Sequence, residues 1–195
     1  MNEQYIFTSV NGIAFFPAFK CATRTVLKTF KKNGYNFPIE KLSEANFADY
    51  DFCFSFVRNP YERLVSCYFQ KIMDQEATDF QFRSSLRWEL NYQKPNFNTF
   101  IKKITSDKNI NQDPHWAPYH NSIPLDNLDF IGKTENLQQD YDFICDKIGI
   151  TRNKLPLLNP SKHKHYAEYY DEETKAIVTE EYSRDIEYFG YKFEK

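Results

Sequence analysis

The stretch FVRNPYERLVSCYF, residues 56–69, contains the end of an apolar strand, an arginine and the start of a helix. Asparagine is a favoured N-cap, proline suits the first helical position, and glutamate at the third completes a capping box. Asn59, Pro60 and Glu62 therefore predict a helix N-terminus directly after the strand. Arg58 lies between the two elements, at the corner of a strand-to-helix junction.

Arg58 has a polar partner further along the predicted helix. Ser66 lies about two turns on, roughly 10 Å along the axis. A cation and a hydroxyl donor are ordinary ligands of phosphate, so the two side chains can share one. The alternative is an ordinary amphipathic helix, because apolar residues recur at helical spacing. These residues are Leu64, Val65, Tyr68, Phe69 and Ile72.

Length and composition predict one globular domain, residues 1–195, because 195 residues with 41% hydrophobic content can bury a sizeable core. A net charge of -2 and a pI near 6.1 argue against a general nucleic-acid-binding protein. The N-terminus has no basic segment followed by a long apolar run, and no segment reaches membrane-spanning length. We therefore expect a cytoplasmic protein without a membrane span.

Cysteine and histidine spacing predicts no metal site. His120, His163 and His165 lie in polar segments without a set of cysteine or carboxylate partners. The cysteines show no CxxC pair, so we expect partly buried thiols in a reducing compartment. These cysteines are Cys21, Cys53, Cys67 and Cys145.

Strand-then-helix units recur along the chain and predict an α/β fold with a parallel sheet. Short strands at residues 5–8 and 13–16 flank an Asn-Gly hairpin turn, and the second leads into a helix that ends near residues 33–34. A strand at residues 128–132 precedes another helix, whose apolar residues have spacings of four, three and four. Those residues are Leu137, Tyr141, Ile144 and Ile148.

Two further helices are predicted from apolar spacing. One lies in the polar region 74–112, and the last begins near Asp171. The first contains Phe97, Phe100, Ile101 and Ile104. The last presents Val178, Tyr182, Ile186 and Phe189 to the core.

The segment PAFKCATRT, residues 17–25, predicts a second anion-binding loop. Ligands of parallel sheets bind where strands end and helix N-termini point amides at anions. Lys20 is followed there by the amides of residues 21–23 and by two threonine hydroxyls. The loop is not a Walker A motif, because Phe19 precedes the lysine where that motif has glycine. Taken alone, the loop also fits a surface lysine before an ordinary helix.

The lysine loop, together with the arginine and serine eight residues apart in RNPYERLVS, resembles sulfotransferases that use 3′-phosphoadenosine 5′-phosphosulfate (PAPS). The likeness is greatest to the carbohydrate sulfotransferase-2 family and covers nearly the whole chain. FVRNPYERLVSCYF resembles its 3′-phosphate motif, DFIGKTENLQQDYDFICDKIGI its third strand-helix unit, and HKHYAEYYDEETKAIVTEEYSRDIEYFGYKF its C-terminal end. We therefore expect a P-loop-like three-layer α/β fold with a central, mainly parallel sheet flanked by helices.

The lysine loop departs from the common Pro-Lys-x-Gly-Ser/Thr-Thr form of that family. Pro17 and Lys20 are separated by two residues, Ala22 replaces the glycine, and Arg24 occupies a position that is usually small or polar. The contacts that this loop makes with a donor are therefore open at this stage.

The resemblance implies transfer of a sulfonate group from PAPS to a hydroxyl or amine by in-line displacement, with release of adenosine 3′,5′-bisphosphate (PAP) and without a metal. Lys20 then neutralises the leaving phosphate. Arg58 and Ser66 hold the 3′-phosphate. The 5′-phosphosulfate is held by Cys21, Ala22, Thr23, Arg24 and Thr25. The late loop contributes Asn159, Ser161 and Lys162, unless it is an ordinary solvated loop.

His115 is the leading candidate for the general base, because imidazole has a near-neutral pKa and the segment NQDPHWAPYH has a DxHW-like pattern that resembles the family. The alternative is a histidine that only forms hydrogen bonds within its own loop. Asp113 is the second candidate for the base.

The acceptor is expected to be a carbohydrate or another small molecule. Two other functions compete with sulfonate transfer: a P-loop kinase-like phosphotransferase and a noncatalytic nucleotide-binding relative. A kinase requires Mg²⁺ and a glycine-rich loop, which Phe19 and Ala22 disfavour. A noncatalytic relative lacks the cation for the leaving group, and Lys20 is present. The sequence does not indicate an oligomeric state.

Overall fold

The computed structural model describes residues 5–8, 12–41, 43, 46–73, 95–106, 113–156 and 163–194, with the backbone alone for residues 5–8. The strands are β1 Tyr5–Thr8, β2 Ile13–Phe16, β3 Ile39–Lys41, β4 Phe52–Val57 and β5 Phe130–Lys133. The α-helices are α1 Thr23–Lys32, α2 Pro60–Cys67, α3 Phe97–Ser106, α4 Leu137–Lys147, α5 Glu172–Glu181 and α6 Ser183–Phe189. Tyr68–Met73 continues α2 as a π-helix.

The chain divides into two compact units. The first comprises Met1–Arg58 and Tyr119–Pro160, and the second comprises Asn59–Pro118 and Ser161–Lys195. The prediction of a single domain stays a prediction.

The five strands form one sheet in the first unit, in the order β3-β1-β2-β4-β5. β2, β4 and β5 are parallel, with Phe16 opposite Ser55 and Phe54 opposite Phe130. β1 runs antiparallel to β2 and to β3. Because β2 and β4 are parallel neighbours, the loops that follow them start at the same edge of the sheet. The predicted α/β class, with parallel strands and helices beside the sheet, is confirmed.

Aromatic residues fill the space between one face of this sheet and helix α1. Phe15 and Phe54 stack with ring centroids 4.9 Å apart, and Phe30 of α1 lies 6.0 Å from Phe54. Gly132 of β5 is required by this packing, since a Cβ there would lie 2.5 Å from the Phe56 ring. Alternation along β4 thus places Phe54 and Phe56 on the same face of the sheet, where both are fully buried.

The second unit has a separate core built from helices. Phe100 of α3 meets Trp116 edge to face at 5.7 Å. Residues from α2, α3 and α5 complete the cluster, since their apolar stripes are buried as the spacing predicts. Its buried helical members include Leu64, Val65, Phe97, Ile101, Ile104 and Val178.

Three details differ from the sequence prediction. The strand predicted at residues 128–132 runs from Phe130 to Lys133. The last predicted helix is two helices, because the backbone leaves helical geometry at Tyr182, with φ -103° and ψ 17°. β3 was not predicted, and its residues are mostly exposed.

Candidate functional site

The loop between β2 and α1 carries the predicted lysine in a left-handed backbone conformation. Lys20 has a φ of 70° and Ala22 a φ of 58°. A non-glycine residue in this region costs about 1–2 kcal/mol, because its Cβ crowds the following carbonyl oxygen. Ala22 thus adopts a conformation that glycine, the residue of the common family motif, reaches without this cost.

Cys21 anchors this loop in the interior of the first unit. Its side chain is fully buried. Its Sγ lies 3.4 Å from the carbonyl oxygen of Phe19 and 3.1 Å from the hydroxyl oxygen of Tyr119. Lys20 is half-buried, so the loop is held from the inside by its cysteine while the neighbouring lysine keeps contact with solvent.

The N-terminus of α1 presents backbone amides without a side-chain cap. Ala22 is the N-cap, its methyl group cannot accept a hydrogen bond, and the first turn has no acidic residue. The first helical bond runs from the Val26 amide to the Ala22 carbonyl at 3.1 Å. The amides of residues 23–25 precede that bond and have no partner within the helix. Such an N-terminus suits an anion.

Two threonines lie in the first turn of α1, and the hydroxyl of one of them bonds to the preceding loop. The Thr23 hydroxyl donates to the Ala18 carbonyl at 3.1 Å. Thr25 is buried, and its carbonyl accepts from the Thr29 hydroxyl at 2.9 Å. Arg24 is exposed. The Thr23 hydroxyl therefore joins the start of α1 to the preceding loop, and Arg24 is the long side chain that this turn presents to solvent.

Arg58 follows β4 and is bound through its backbone to Tyr119. The Arg58 amide donates to the Tyr119 hydroxyl at 2.9 Å, and the same hydroxyl donates to the Arg58 carbonyl at 3.0 Å. Tyr119 is fully buried. Sequence reasoning missed Tyr119, because no motif separates it from a tyrosine that simply packs in the core.

In the second unit, α2 begins at the predicted N-cap. The Asn59 side chain accepts from the Tyr61 amide at 3.1 Å, so the cap is confirmed. The capping box with Glu62 stays a prediction. Ser66 lies near the end of α2 and is 6% exposed. Its role as a phosphate ligand also stays a prediction.

His115 and Asp113 form a hydrogen-bonded pair in the second unit. The His115 Nδ1 lies 2.7 Å from Asp113 Oδ1, and the His115 amide donates to the same oxygen at 2.9 Å. The side chains are 16% and 25% exposed. A carboxylate at Nδ1 favours the tautomer with its hydrogen there, which leaves the lone pair of a base on Nε2. The two alternative candidates for the base are therefore one pair.

Two buried side chains hold the loop around His115. Arg63 is 1% exposed and donates to carbonyls on either side of His115, to Pro114 at 2.9 Å and Ala117 at 2.8 Å. Tyr182 donates to a third carbonyl of this loop at 2.6 Å. Sequence reasoning missed Arg63, although an arginine on the apolar stripe of α2 indicates a buried, hydrogen-bonded cation.

The predicted site residues fall into two groups. The first unit contains Lys20, Cys21, Ala22, Thr23, Arg24, Thr25 and Arg58. The second contains Ser66, Asp113 and His115. Asn159, Ser161 and Lys162 lie outside the described residues.

Neither a metal cluster nor a membrane-spanning helix occurs in the described part of the chain. Within those ranges, no three His, Cys, Asp or Glu side chains are grouped as metal ligands. None of the helices there combines the length and apolarity needed to cross a bilayer. The expectation of a metal-free, cytoplasmic protein stays a prediction.

Comparison with known proteins gives a family. The profile of the sulfotransferase family matches residues 5–192. Carbohydrate sulfotransferase 14 from Danio rerio is 28% identical over 110 residues, a match that covers 50% of this chain and 30% of that relative. No solved structure matches significantly. Because the family profile extends over nearly the whole chain, the protein belongs to the sulfotransferase family.

Proposed function

We propose that the protein is an enzyme that moves a sulfonate group from PAPS to an acceptor hydroxyl or amine. The observation that carries this proposal is the Lys20 loop, where left-handed residues and an alanine N-cap leave the first amides of α1 to an anion. Membership of the sulfotransferase family supports the class of reaction.

The donor is held through its two phosphate groups. The amides of residues 21–25 bind the 5′-phosphosulfate at the N-terminus of α1, where the helix dipole favours negative charge. Arg58 and the Ser66 hydroxyl bind the 3′-phosphate, which separates PAPS from simpler nucleotides. Ser161 and Lys162 close over the nucleotide.

In the reaction, the acceptor oxygen or nitrogen attacks sulfur while the bond from sulfur to the bridging oxygen breaks, and PAP leaves with the electron pair. The Lys20 ammonium neutralises the charge that grows on the leaving phosphate, as positioned cations do in phosphoryl transfer. The acceptor proton passes to Nε2 of His115. Asp113 stabilises the resulting imidazolium through Nδ1, which it contacts at 2.7 Å.

The proposed class of acceptor is inferred from the name of a related protein. The Danio rerio protein is named a carbohydrate sulfotransferase, which supports a carbohydrate hydroxyl as the group that receives the sulfonate. A small-molecule acceptor remains in the proposal, because the relative's whole length is not matched.

Thermal unfolding with two nucleotides tests the donor class. A ligand that binds only the native state raises the melting temperature by mass action. We expect PAP to raise it in the presence of EDTA, and Mg-ATP to leave it unchanged. Stabilisation by Mg-ATP alone would contradict the proposal and support the kinase-like alternative.

The histidine pair gives a separate test of the base. His115→Ala should lower kcat by about 10²- to 10⁴-fold, the usual contribution of a general base. Asp113→Asn should lower kcat less, because the imidazole remains. His165→Ala, at an exposed histidine of the same unit, serves as the control. If His115→Ala retained half of the wild-type kcat, the base would have to be a different group.

A further inference from the structure

The Tyr119 hydroxyl connects the two donor-binding segments of the first unit. It contacts the backbone of Arg58 at two atoms, at 2.9 and 3.0 Å, and the Sγ of Cys21 at 3.1 Å. The tyrosine and the cysteine are both fully buried. One oxygen atom therefore joins the residue that follows β4 to the loop that follows β2.

The hydrogen-bonding capacity of the hydroxyl assigns each contact a direction. A tyrosine hydroxyl has one hydrogen to donate and can accept further hydrogens. The hydrogen goes to the Arg58 carbonyl, and the Arg58 amide supplies one accepted bond. The Cys21 thiol then donates the second, with its single hydrogen shared between the Tyr119 hydroxyl at 3.1 Å and the Phe19 carbonyl oxygen at 3.4 Å. The three contacts of the hydroxyl form together at the present separation of the Cys21 loop and the Arg58 backbone.

Because of its position in the loop, Cys21 connects Tyr119 to a turn with left-handed backbone. Cys21 lies between Lys20 and Ala22, the two left-handed non-glycine residues of the described chain. Such backbone persists only where the surroundings hold it in place. The thiol is the buried side chain of this trio, so the contact with Tyr119 restrains the strained turn.

We infer that Tyr119 is a positioning residue that couples the Lys20 loop to Arg58 and so sets the spacing at which the donor's two phosphates are bound. The inference rests on the proposed function, because it takes these two segments as the phosphate sites. Tyr119 itself touches neither phosphate; it acts through the backbone of Arg58 and the thiol of Cys21.

Tyr119→Phe removes the hydroxyl and keeps the ring. The dissociation constants to measure are those of PAP, which carries both phosphates, and of AMP, which lacks the 3′-phosphate. We expect the gain in affinity from the 3′-phosphate, the ratio of the two constants, to fall about tenfold, equivalent to one net hydrogen bond. An unchanged ratio would overturn the inference, since a general loss of stability weakens both ligands alike.

Tyr141→Phe is the matched control. Tyr141 is a fully buried tyrosine of the same unit, and its hydroxyl accepts from the Asn33 side chain at 3.4 Å. The control should leave the ratio of constants at the wild-type value. A fall in both tyrosine variants would overturn the inference, because any buried hydroxyl would then have the same effect.

A double-mutant cycle with Cys21→Ala separates coupling from independent damage. The ratio of constants should fall in Cys21→Ala and fall no further in the double variant with Tyr119→Phe, because both changes break one link. Additive losses would overturn the inference. If wild-type protein bound no PAP, the proposed function would fail and the inference with it; if it bound PAP but the variants matched it, the inference alone would fail.

Discussion

The two strand-to-helix junctions, after β2 and after β4, differ in whether a side chain accepts hydrogen bonds from the first amides of the following helix. At the first, Ala22 is the N-cap, and its side chain has no atom that can accept from the amides of the first turn of α1. At the second, the Asn59 side chain accepts from the Tyr61 amide, and Pro60 has no amide hydrogen. The first junction therefore offers more backbone donors to an anion than the second, where the cap and the proline leave fewer.

This difference supports different proposed tasks for the two junctions. The first keeps two left-handed non-glycine residues, Lys20 and Ala22, at about 1–2 kcal/mol each. Backbone strain of this kind concentrates at functional sites. The second junction has the residues of an ordinary, well-capped helix. We therefore propose that the first junction carries the chemistry and that the second recognises the donor's 3′-phosphate.

Lys20→Met gives the largest expected effect. Removing the ammonium should lower kcat by about 10²- to 10³-fold, as loss of one group that stabilises transition-state charge does. The affinity for PAP should change less. Steady-state kinetics measure both quantities, and Lys28→Met, at an exposed lysine of α1, is the control. If Lys20→Met kept the wild-type kcat, the proposal that the first junction carries the chemistry would be wrong.

Arg58→Ala should instead weaken donor binding. Losing a charged hydrogen bond to the 3′-phosphate should raise the dissociation constant of PAP by about 10- to 100-fold, while kcat at saturating donor stays near the wild-type value. Calorimetric titration gives the constant. Arg152→Ala removes an exposed arginine of the same unit that binds Asp146, and it should have no effect. Equal losses of kcat in the Lys20 and Arg58 variants would abolish the distinction between the junctions.

The caps should respond in opposite directions to substitution. Asn59→Ala removes a confirmed cap and should lower the free energy of unfolding by about 1 kcal/mol. Ala22→Gly relieves the left-handed alanine and should raise it by about 0.5–1 kcal/mol, after allowance for the extra entropy of the unfolded chain. Urea unfolding measures both. If Ala22→Gly instead lowered the free energy of unfolding as much as the same change does in the interior of a helix, the backbone at residue 22 would not be strained.

The strand that leads to the second junction predicts a smaller effect of alkaline pH. Burial, and then the charge of Asp129, raises the pKa of the Cys53 thiol from 9.0 to about 11. The stability that depends on the protonated thiol is complete below pH 9 and is lost as the pH rises to 11. The melting temperature should therefore fall across this range, and fall less steeply in Cys53→Ala, which keeps the backbone bond to Asp129. Equal slopes would contradict the raised pKa.

Apolar periodicity and cap residues made much of the fold predictable. β4, the Asn59 cap and the stripe of α2 follow from local rules, because each depends on neighbours within one or two turns. β3 could not be predicted in this way, because its three residues are largely exposed and form a strand by pairing with β1. The helix break at Tyr182 was not predicted either, because the apolar residues keep helical spacing across it.

Residue types indicated the candidate site, but not the contacts that hold it. Lys20 and His115 were recognisable because a cation in a loop and an imidazole carry chemistry of their own. Arg63 and Tyr119 act through carbonyl and amide groups 51 and 61 residues away in the chain, respectively. No local sequence pattern predicts such bonds, because every residue has a backbone carbonyl and residue types therefore do not indicate which one is the partner.

Transfer of labelled sulfonate is the decisive assay for the proposed activity. Wild-type protein is incubated with sulfur-labelled PAPS, a panel of sugars and small alcohols, and EDTA, and products are separated by mass. We expect labelled sulfonate on at least one hydroxyl acceptor, with one PAP released for each transfer. We also expect at least a 100-fold slower rate in Lys20→Met, because the variant lacks the positioned cation. Binding of PAP without transfer to any acceptor, or an equal rate in the variant, would contradict the proposal.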